Sequence, residues 1–212
     1  TSGSSSGSGS TGQQGKSHTH TWVYSVKNDQ IIAYCTAENQ DDICKYNGES
    51  NALTFDFTAA QMQYNGKPYN ADGNCIVITN NITVATTEKP DDVVYYNVDE
   101  DGKIKGEALE TAPTNIGKYA AKITLSNQTI SRKFEITKAK PVITLQDADY
   151  IYNGQPVSYT GSVSLANNEV YGGTINYSYR KADTQDDFTN GLPTNAGVYE
   201  VKAAVDANGN YS

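Results

Sequence analysis

The sequence predicts an all-β protein, in which tandem β-sandwiches follow a small three-stranded β meander. Its 212 residues include 16 Tyr and 18 Gly but only one Met, and Tyr, Thr, Val and Ile favour half-buried strands. Short alternating runs are separated by turn signals at roughly 8–12-residue spacing. Five Asn-Gly and two Asp-Gly pairs supply residues that tolerate positive φ. A long internal repeat indicates more than one domain of the same kind.

The first segment, 1–17, is rich in Gly and Ser and contains no apolar residue. Such a stretch buries too little surface to offset the entropy lost on ordering. We therefore expect a flexible linker.

Residues 18–58 predict a small β unit. The run HTHTWVYSV places its large rings on alternate positions, as expected for a strand with one buried face. Residues 27–30 (KNDQ) predict a turn, and 31–35 (IIAYC) predict a second strand. A polar stretch then leads to a third strand, in which Leu53, Phe55 and Phe57 alternate. A meander this small is marginally stable alone.

Two longer segments, 59–139 and 140–212, resemble each other and predict two sandwich repeats. Residues 63–69 (QYNGKPY) match 151–157 (IYNGQPV), and 112–119 (APTNIGKY) match 192–199 (LPTNAGVY). In repeat 1 the pattern predicts strands near 75–79, 82–86, 92–98, 103–107, 117–125 and 129–137. Repeat 2 has no counterpart of 130–137, so we expect it to lack its last strand and to expose a sheet edge.

The two repeats are joined directly by 134–145 (FEITKAKPVITL). Pro141 lies between the last strand of one repeat and the first strand of the next. Because Pro fixes its own φ and biases the preceding residue towards extended backbone, a stiff joint is predicted.

The segments YNGKPYNADG, VVYYNVDEDGKIKGEALETAPTNIGKYAAKITL and FEITKAKP together resemble the bacterial immunoglobulin-like repeats of the MBG or YDG type. The resemblance covers about 60–212, and 18–58 looks like a unit that often precedes such repeats. It implies immunoglobulin-like sandwiches in a secreted or cell-surface protein. The implied role is a structural or adhesive module without catalytic residues. Host or cell-wall glycans or proteins are the expected partners of what we expect to be a monomer.

Charge and composition narrow the classes of function. The 16 Lys and Arg against 24 Asp and Glu give a net charge of −8, which argues against binding to nucleic acid. No apolar run approaches the length that spans a bilayer. Both His lie in the first 20 residues, so no Ser-His-Asp set is expected. We therefore predict no enzyme and no cofactor.

Cys35 and Cys44 allow two predictions, a disulfide or a zinc site, which exclude each other because both use the same thiols. A disulfide between Cys35 and Cys44 would close a short loop and stabilise the fold by roughly 2.5–3 kcal/mol. Alternatively, both thiols could join His18 and His20, which share one face of a strand, in a His₂Cys₂ zinc set. The third cysteine, Cys75, is expected to be a small buried residue.

A calcium-loop-like pattern occurs at Asn97, Asp99, Asp101 and Gly102. An EF-hand needs a bidentate Glu at position 12, and that position is Ala108. We therefore expect a hairpin turn there.

Two functions remain open at this stage. One is a spacer or stalk that holds another module away from a cell wall. The other is a carbohydrate-binding module that uses surface Tyr or Trp rings, since flat aromatic faces stack on sugars.

Overall fold

The computed structural model describes residues 19–36, 44–165, 171–206 and 209–212. The predicted linker 1–17 lies outside the described residues. Within them the fold is all-β: thirteen strands accompany one short α-helix, α1 (Ile82–Ala85), and one 3-10 turn at Glu49–Asn51. No helix in these ranges is long and apolar enough to cross a bilayer.

The strands are numbered in chain order. They are β1 (Trp22–Lys27), β2 (Gln30–Cys35), β3 (Leu53–Ala59), β4 (Met62–Gln63), β5 (Ile76–Asn80), β6 (Val94–Val98), β7 (Ile104–Lys105), β8 (Gly117–Leu125), β9 (Gln128–Thr137), β10 (Pro141–Thr144), β11 (Ser162–Leu165), β12 (Ile175–Lys181) and β13 (Tyr199–Val205). The predictions for 75–79, 92–98, 103–107, 117–125 and 129–137 are confirmed, with β7 shorter than expected.

These strands form four sheets. A four-stranded sheet has the order β1-β2-β3-β5, and a five-stranded sheet has the order β4-β9-β8-β6-β7. Two antiparallel pairs, β10-β11 and β12-β13, belong to the second predicted repeat. The predicted meander is therefore present as β1-β2-β3, and β5 extends it by pairing with the edge that β3 would otherwise expose.

The first hairpin shows how local sequence fixes the register. Asn28 and Asp29 have φ of 50° and 59°, so both central turn positions have the positive φ that two-residue hairpins require. Lys27 consequently pairs with Gln30, and Trp22 pairs with Cys35 at the other end of the hairpin.

The described residues belong to two compact units. The first unit takes its described residues from 1–56, 78–92 and 123–130, and the second takes them from 57–77, 93–122 and 131–212. Ile31, Ala33, Phe55 and Leu125 are fully buried in the first unit. The buried side chains of the second unit are largely aromatic, and they include Phe57, Tyr69, Tyr119, Phe134, Tyr159, Tyr171 and Tyr179.

The predicted strand over 82–86 is wrong, because this segment begins with α1. The Asn80 side chain accepts hydrogen bonds from the backbone N–H groups of Ile82 (3.0 Å) and Thr83 (3.1 Å). Two N–H groups at the start of the helical turn are thereby satisfied. This local bonding outweighs the strand preference of the β-branched run that starts at Ile82.

The expected hairpin turn at the calcium-like pattern is confirmed. It connects β6 to β7, with the backbone N–H of Gly102 donating to the Asp99 carbonyl at 3.0 Å. The Asp99 carboxylate accepts the N–H of Lys103 at 2.7 Å. The Asp99 side chain thus stabilises the turn itself.

Candidate functional site

A cluster of potential metal ligands lies in the first unit. Ligand atoms of His20, Cys35 and Cys44 are all within 4.8 Å of one another. The His20 ring nitrogen Nδ1 is 3.5 Å from the Cys44 sulfur. Of the predicted zinc set, the structure thus brings three members together, and the fourth, His18, lies outside the described residues.

Backbone hydrogen bonds position the two thiols. Cys35 is the last residue of β2, is 1% exposed, and donates its N–H to the Tyr46 carbonyl at 2.8 Å. Cys35 also forms a parallel bridge with Asn47, whose N–H donates to the Cys44 carbonyl at 3.0 Å. The segment from Cys44 to Asn47 therefore lies beside the end of β2.

Aromatic rings hold the imidazole. The His20 ring stacks on Trp22 with centroids 5.0 Å apart and lies 5.7 Å from the Tyr46 ring. Trp22 and Tyr46 are themselves 5.3 Å apart. The role of Tyr46 was missed in the sequence, where the only signal was an aromatic residue two positions after Cys44.

Burial raises the pKa of the Cys44 thiol, and a hydrogen bond with Cys35 raises it further. A hydrogen bond involving the backbone of Tyr46 acts in the opposite direction. The predicted disulfide between Cys35 and Cys44 remains a prediction, because the closeness of the two residues is compatible both with a disulfide and with a shared metal ion.

Cys75 lies apart from this cluster and is only partly buried. Its backbone N–H donates to the Asn70 side-chain oxygen at 2.8 Å. It therefore marks a tight backbone turn before β5 and belongs to the second unit.

The second unit contains an aromatic cluster in the first predicted repeat. Phe134 of β9 stacks on Tyr69 with centroids 3.7 Å apart and on Tyr119 at 5.6 Å. It meets Tyr95 edge-on at 6.1 Å. Desolvation raises the pKa of all three tyrosines.

Corresponding positions of the two predicted repeats make the same local contacts. The Tyr119 hydroxyl donates to the Asn115 carbonyl at 2.9 Å, and the Tyr199 hydroxyl donates to the Asn195 carbonyl at 3.0 Å. Two further backbone contacts also recur. In the first, the Lys67 N–H donates to Asn65 Oδ1 at 3.0 Å, and the Gln155 N–H donates to Asn153 Oδ1 at 2.9 Å. In the second, the Tyr69 N–H donates to the Pro113 carbonyl at 2.7 Å, and the Val157 N–H donates to the Pro193 carbonyl at 2.9 Å.

A cavity of about 550 Å³ opens where the second repeat corresponds to the aromatic cluster of the first. Val157 and Tyr199 line it at the sequence positions that match Tyr69 and Tyr119. Tyr179 lines it opposite Val201 in the β12-β13 register. In the first predicted repeat, the matching residues Tyr69 and Tyr119 both stack on the Phe134 ring.

The exposed rim of this cavity is aromatic and polar. Tyr150 and Tyr152 line it and are 50% and 63% exposed. Asp147, Asp149 and Gln155 also line the cavity and contribute polar groups. Flat rings beside carboxylate and amide groups can bind a polar ligand that has an apolar face.

Hydrogen bonds join the two predicted repeats inside the second unit. The Asn210 side chain accepts the N–H of Ile116 at 3.1 Å and donates to the Asn115 side-chain oxygen at 3.2 Å. The Ala139 N–H donates to the Asn210 carbonyl at 2.9 Å, and the Ser212 N–H donates to the Ala139 carbonyl at 3.0 Å. This joint was not predicted in its particulars, because the contacting residues are far apart in sequence.

Comparison with known proteins finds no matching family model, no similar curated protein and no similar solved structure.

Proposed function

We propose that the chain is a non-catalytic structural or adhesive module of a bacterial surface protein. In this proposal, two immunoglobulin-like repeats of the MBG/YDG type act as a spacer. Strand ladders transmit load along the repeats, and loops at their ends are available to touch partners.

The hydrogen-bonded joint is the observation that carries the proposal. A spacer needs neighbouring repeats whose relative orientation is fixed, because flexible linkage would let the module collapse on the surface. The Asn210 side chain accepts a hydrogen bond from the Ile116 N–H and donates one to the Asn115 side chain. The Asn210 carbonyl accepts a third hydrogen bond, from the Ala139 N–H. Pro141 follows at the first position of β10, where its fixed φ further restricts the connection.

Packing around the joint adds to its stiffness. Tyr211 contacts the Tyr64 ring edge-on at 5.4 Å and the Tyr171 ring at 4.7 Å. Ala139, Leu165 and Tyr171 are buried together in this region. Aromatic pairs of this kind contribute about 0.5–1.5 kcal/mol beyond the area that they bury.

The test measures the distance between the repeats directly. Spin labels are placed through non-natural amino acids at the exposed positions Lys105 and Lys202, so that the cysteines stay unmodified. Pulsed dipolar spectroscopy should give one narrow distance distribution. The Asn210→Ala variant should broaden it, because the two side-chain hydrogen bonds are lost. A distribution already broad in the unmodified sequence would contradict a rigid spacer.

The alternative function is a carbohydrate-binding module, and the rim tyrosines of the 550 Å³ cavity favour it. Sugar rings bind on exposed aromatic faces while amides and carboxylates accept or donate to hydroxyls. Tyr150 and Tyr152 provide such faces next to Asp149.

A glycan array followed by titration of any hit tests this alternative. The Tyr152→Ala variant should abolish binding at this rim. Val84→Ala is the matched control, because Val84 is 87% exposed and lies on α1 in the other unit. An array without hits, or a hit that Tyr152→Ala leaves unchanged, would remove the carbohydrate reading of this cavity.

A further inference from the structure

We propose that His20, Cys35 and Cys44 bind a zinc ion that cross-links the first unit. This role is separate from spacing or adhesion, since it concerns how the N-terminal unit is held together. The proposal rests on the three residues that the structure describes.

The separation of the ligand atoms fits a single metal ion. A tetrahedral zinc with Zn–S near 2.3 Å and Zn–N near 2.0–2.1 Å places a sulfur and a nitrogen about 3.5 Å apart and two sulfurs about 3.8 Å apart. The observed distance between His20 Nδ1 and Cys44 Sγ is 3.5 Å, and all three ligand atoms lie within 4.8 Å. One ion can therefore contact all three with little movement.

The chemistry of the donor set selects zinc over other common ions. Thiolates are soft ligands, and imidazole suits zinc, whereas Ca²⁺ and Mg²⁺ prefer oxygen. Two thiolates balance the charge of one dication. The three ligands leave one tetrahedral position, which a water molecule can fill.

The ligands are held before any ion arrives. Cys35 is fixed by its place at the end of β2 and by near-complete burial. His20 is held by ring contacts with Trp22 and Tyr46. Cys44 and His20 are only partly buried, so an ion can enter from solvent.

Binding would tie three chain segments to one point. His20 precedes β1, Cys35 ends β2, and Cys44 comes nine positions after Cys35, before the 3-10 turn at Glu49–Asn51. A small β unit gains substantially from such a cross-link, because structural zinc sites couple metal binding to folding.

Zinc and a disulfide compete for the same two thiols. The position of the imidazole favours the metal, because His20 Nδ1 lies 3.5 Å from the Cys44 sulfur, whereas a disulfide assigns no role to His20. One experiment separates the two outcomes.

The protein is purified without oxygen and analysed for zinc and for reactive thiols after unfolding in chelator. One zinc per chain and three thiols are expected. The reduced metal-free protein is then titrated with Co²⁺, which should give thiolate-to-cobalt charge transfer and the visible bands of a tetrahedral site at one equivalent. Zinc should displace the cobalt and raise the unfolding temperature.

Cys44→Ser is the test variant, and Cys75→Ser is its matched control because Cys75 lies outside the cluster. The first should weaken cobalt and zinc binding by at least about tenfold, as expected when a ligand is lost, and the second should leave both unchanged. His20→Ala provides a second ligand variant if the serine variant folds poorly. Reduced protein that binds neither metal, or a single reactive thiol without zinc, would overturn the proposal, and the latter would establish the disulfide.

Discussion

Replacing Phe134 with alanine probes the aromatic cluster of the first repeat. Phe134 is 6% exposed and contacts the rings of Tyr69, Tyr95 and Tyr119. Truncating a buried Phe to Ala removes its transfer free energy and leaves a cavity, at a total cost of about 3–5 kcal/mol. We expect about 4 kcal/mol, because rings held by β6, by β8 and by the turn at Tyr69 cannot easily close the space.

That loss is large compared with the total stability of a domain, which is about 5–15 kcal/mol. Urea unfolding followed by tyrosine fluorescence and far-ultraviolet circular dichroism measures it. Because the chain forms two compact units, we expect two unfolding transitions, and Phe134→Ala should shift only the transition of the second unit.

Phe188→Ala is the matched control. Phe188 is partly exposed, and its ring lies 4.7 Å from the Arg180 guanidinium. An exposed cation–π contact contributes about 0.5–1 kcal/mol, so the control should cost about 1 kcal/mol. If Phe134→Ala cost no more than this control, the packing account of the first repeat would be refuted.

Two further predictions concern pH and the second repeat. Desolvation holds the tyrosine pKa values of the cluster above their ordinary value of 10.0, so their contribution to stability is complete below pH 10 and is lost as the pH rises above it. Urea unfolding between neutral pH and pH 11 should show this fall, and Tyr95→Phe should make it shallower; equal slopes would contradict the desolvation argument. Appending a copy of 132–139 after Ser212 should raise the unfolding temperature by about 5 °C, because one buried Phe adds about 1.5–3 kcal/mol. A matched extension with serine in place of the copied Phe134 should lose most of this increase in unfolding temperature. Equal increases for the two extensions would show that the appended phenylalanine does not bind in the cavity.

Local sequence predicted the parts of the fold that local interactions determine. The turn predicted over 27–30 is present, with positive φ at Asn28 and Asp29, and the strand predicted over 117–125 coincides with β8. The strand over 82–86 failed because the Asn80 side chain, two positions upstream, satisfies the first N–H groups of a helical turn.

Partners that are distant in sequence could not be predicted in the same way. The pairing of β5 with β3 depends on which edge is free after folding, and no pattern within 75–79 specifies it. Spacing and residue type singled out His20, Cys35 and Cys44, whereas the ring contacts of Tyr46 with His20 required the return of the chain beside β2. Likewise, the cavity in the second repeat depends on the β12-β13 register.

The groups that bind the Asn210 side chain have sequence counterparts in the second predicted repeat. Asn115 and the Ile116 N–H receive the Asn210 side chain, and the matching residues of the second repeat, Asn195 and Ala196, are exposed. In the proposed spacer, a further repeat attached by an equally short connection would dock there in the same manner. Every junction would then impose one rotation and one translation, so an array of such repeats would follow a screw axis. Equivalent surface groups on successive repeats would then be separated by a constant distance along this axis. Each would be rotated by a constant angle from the one before.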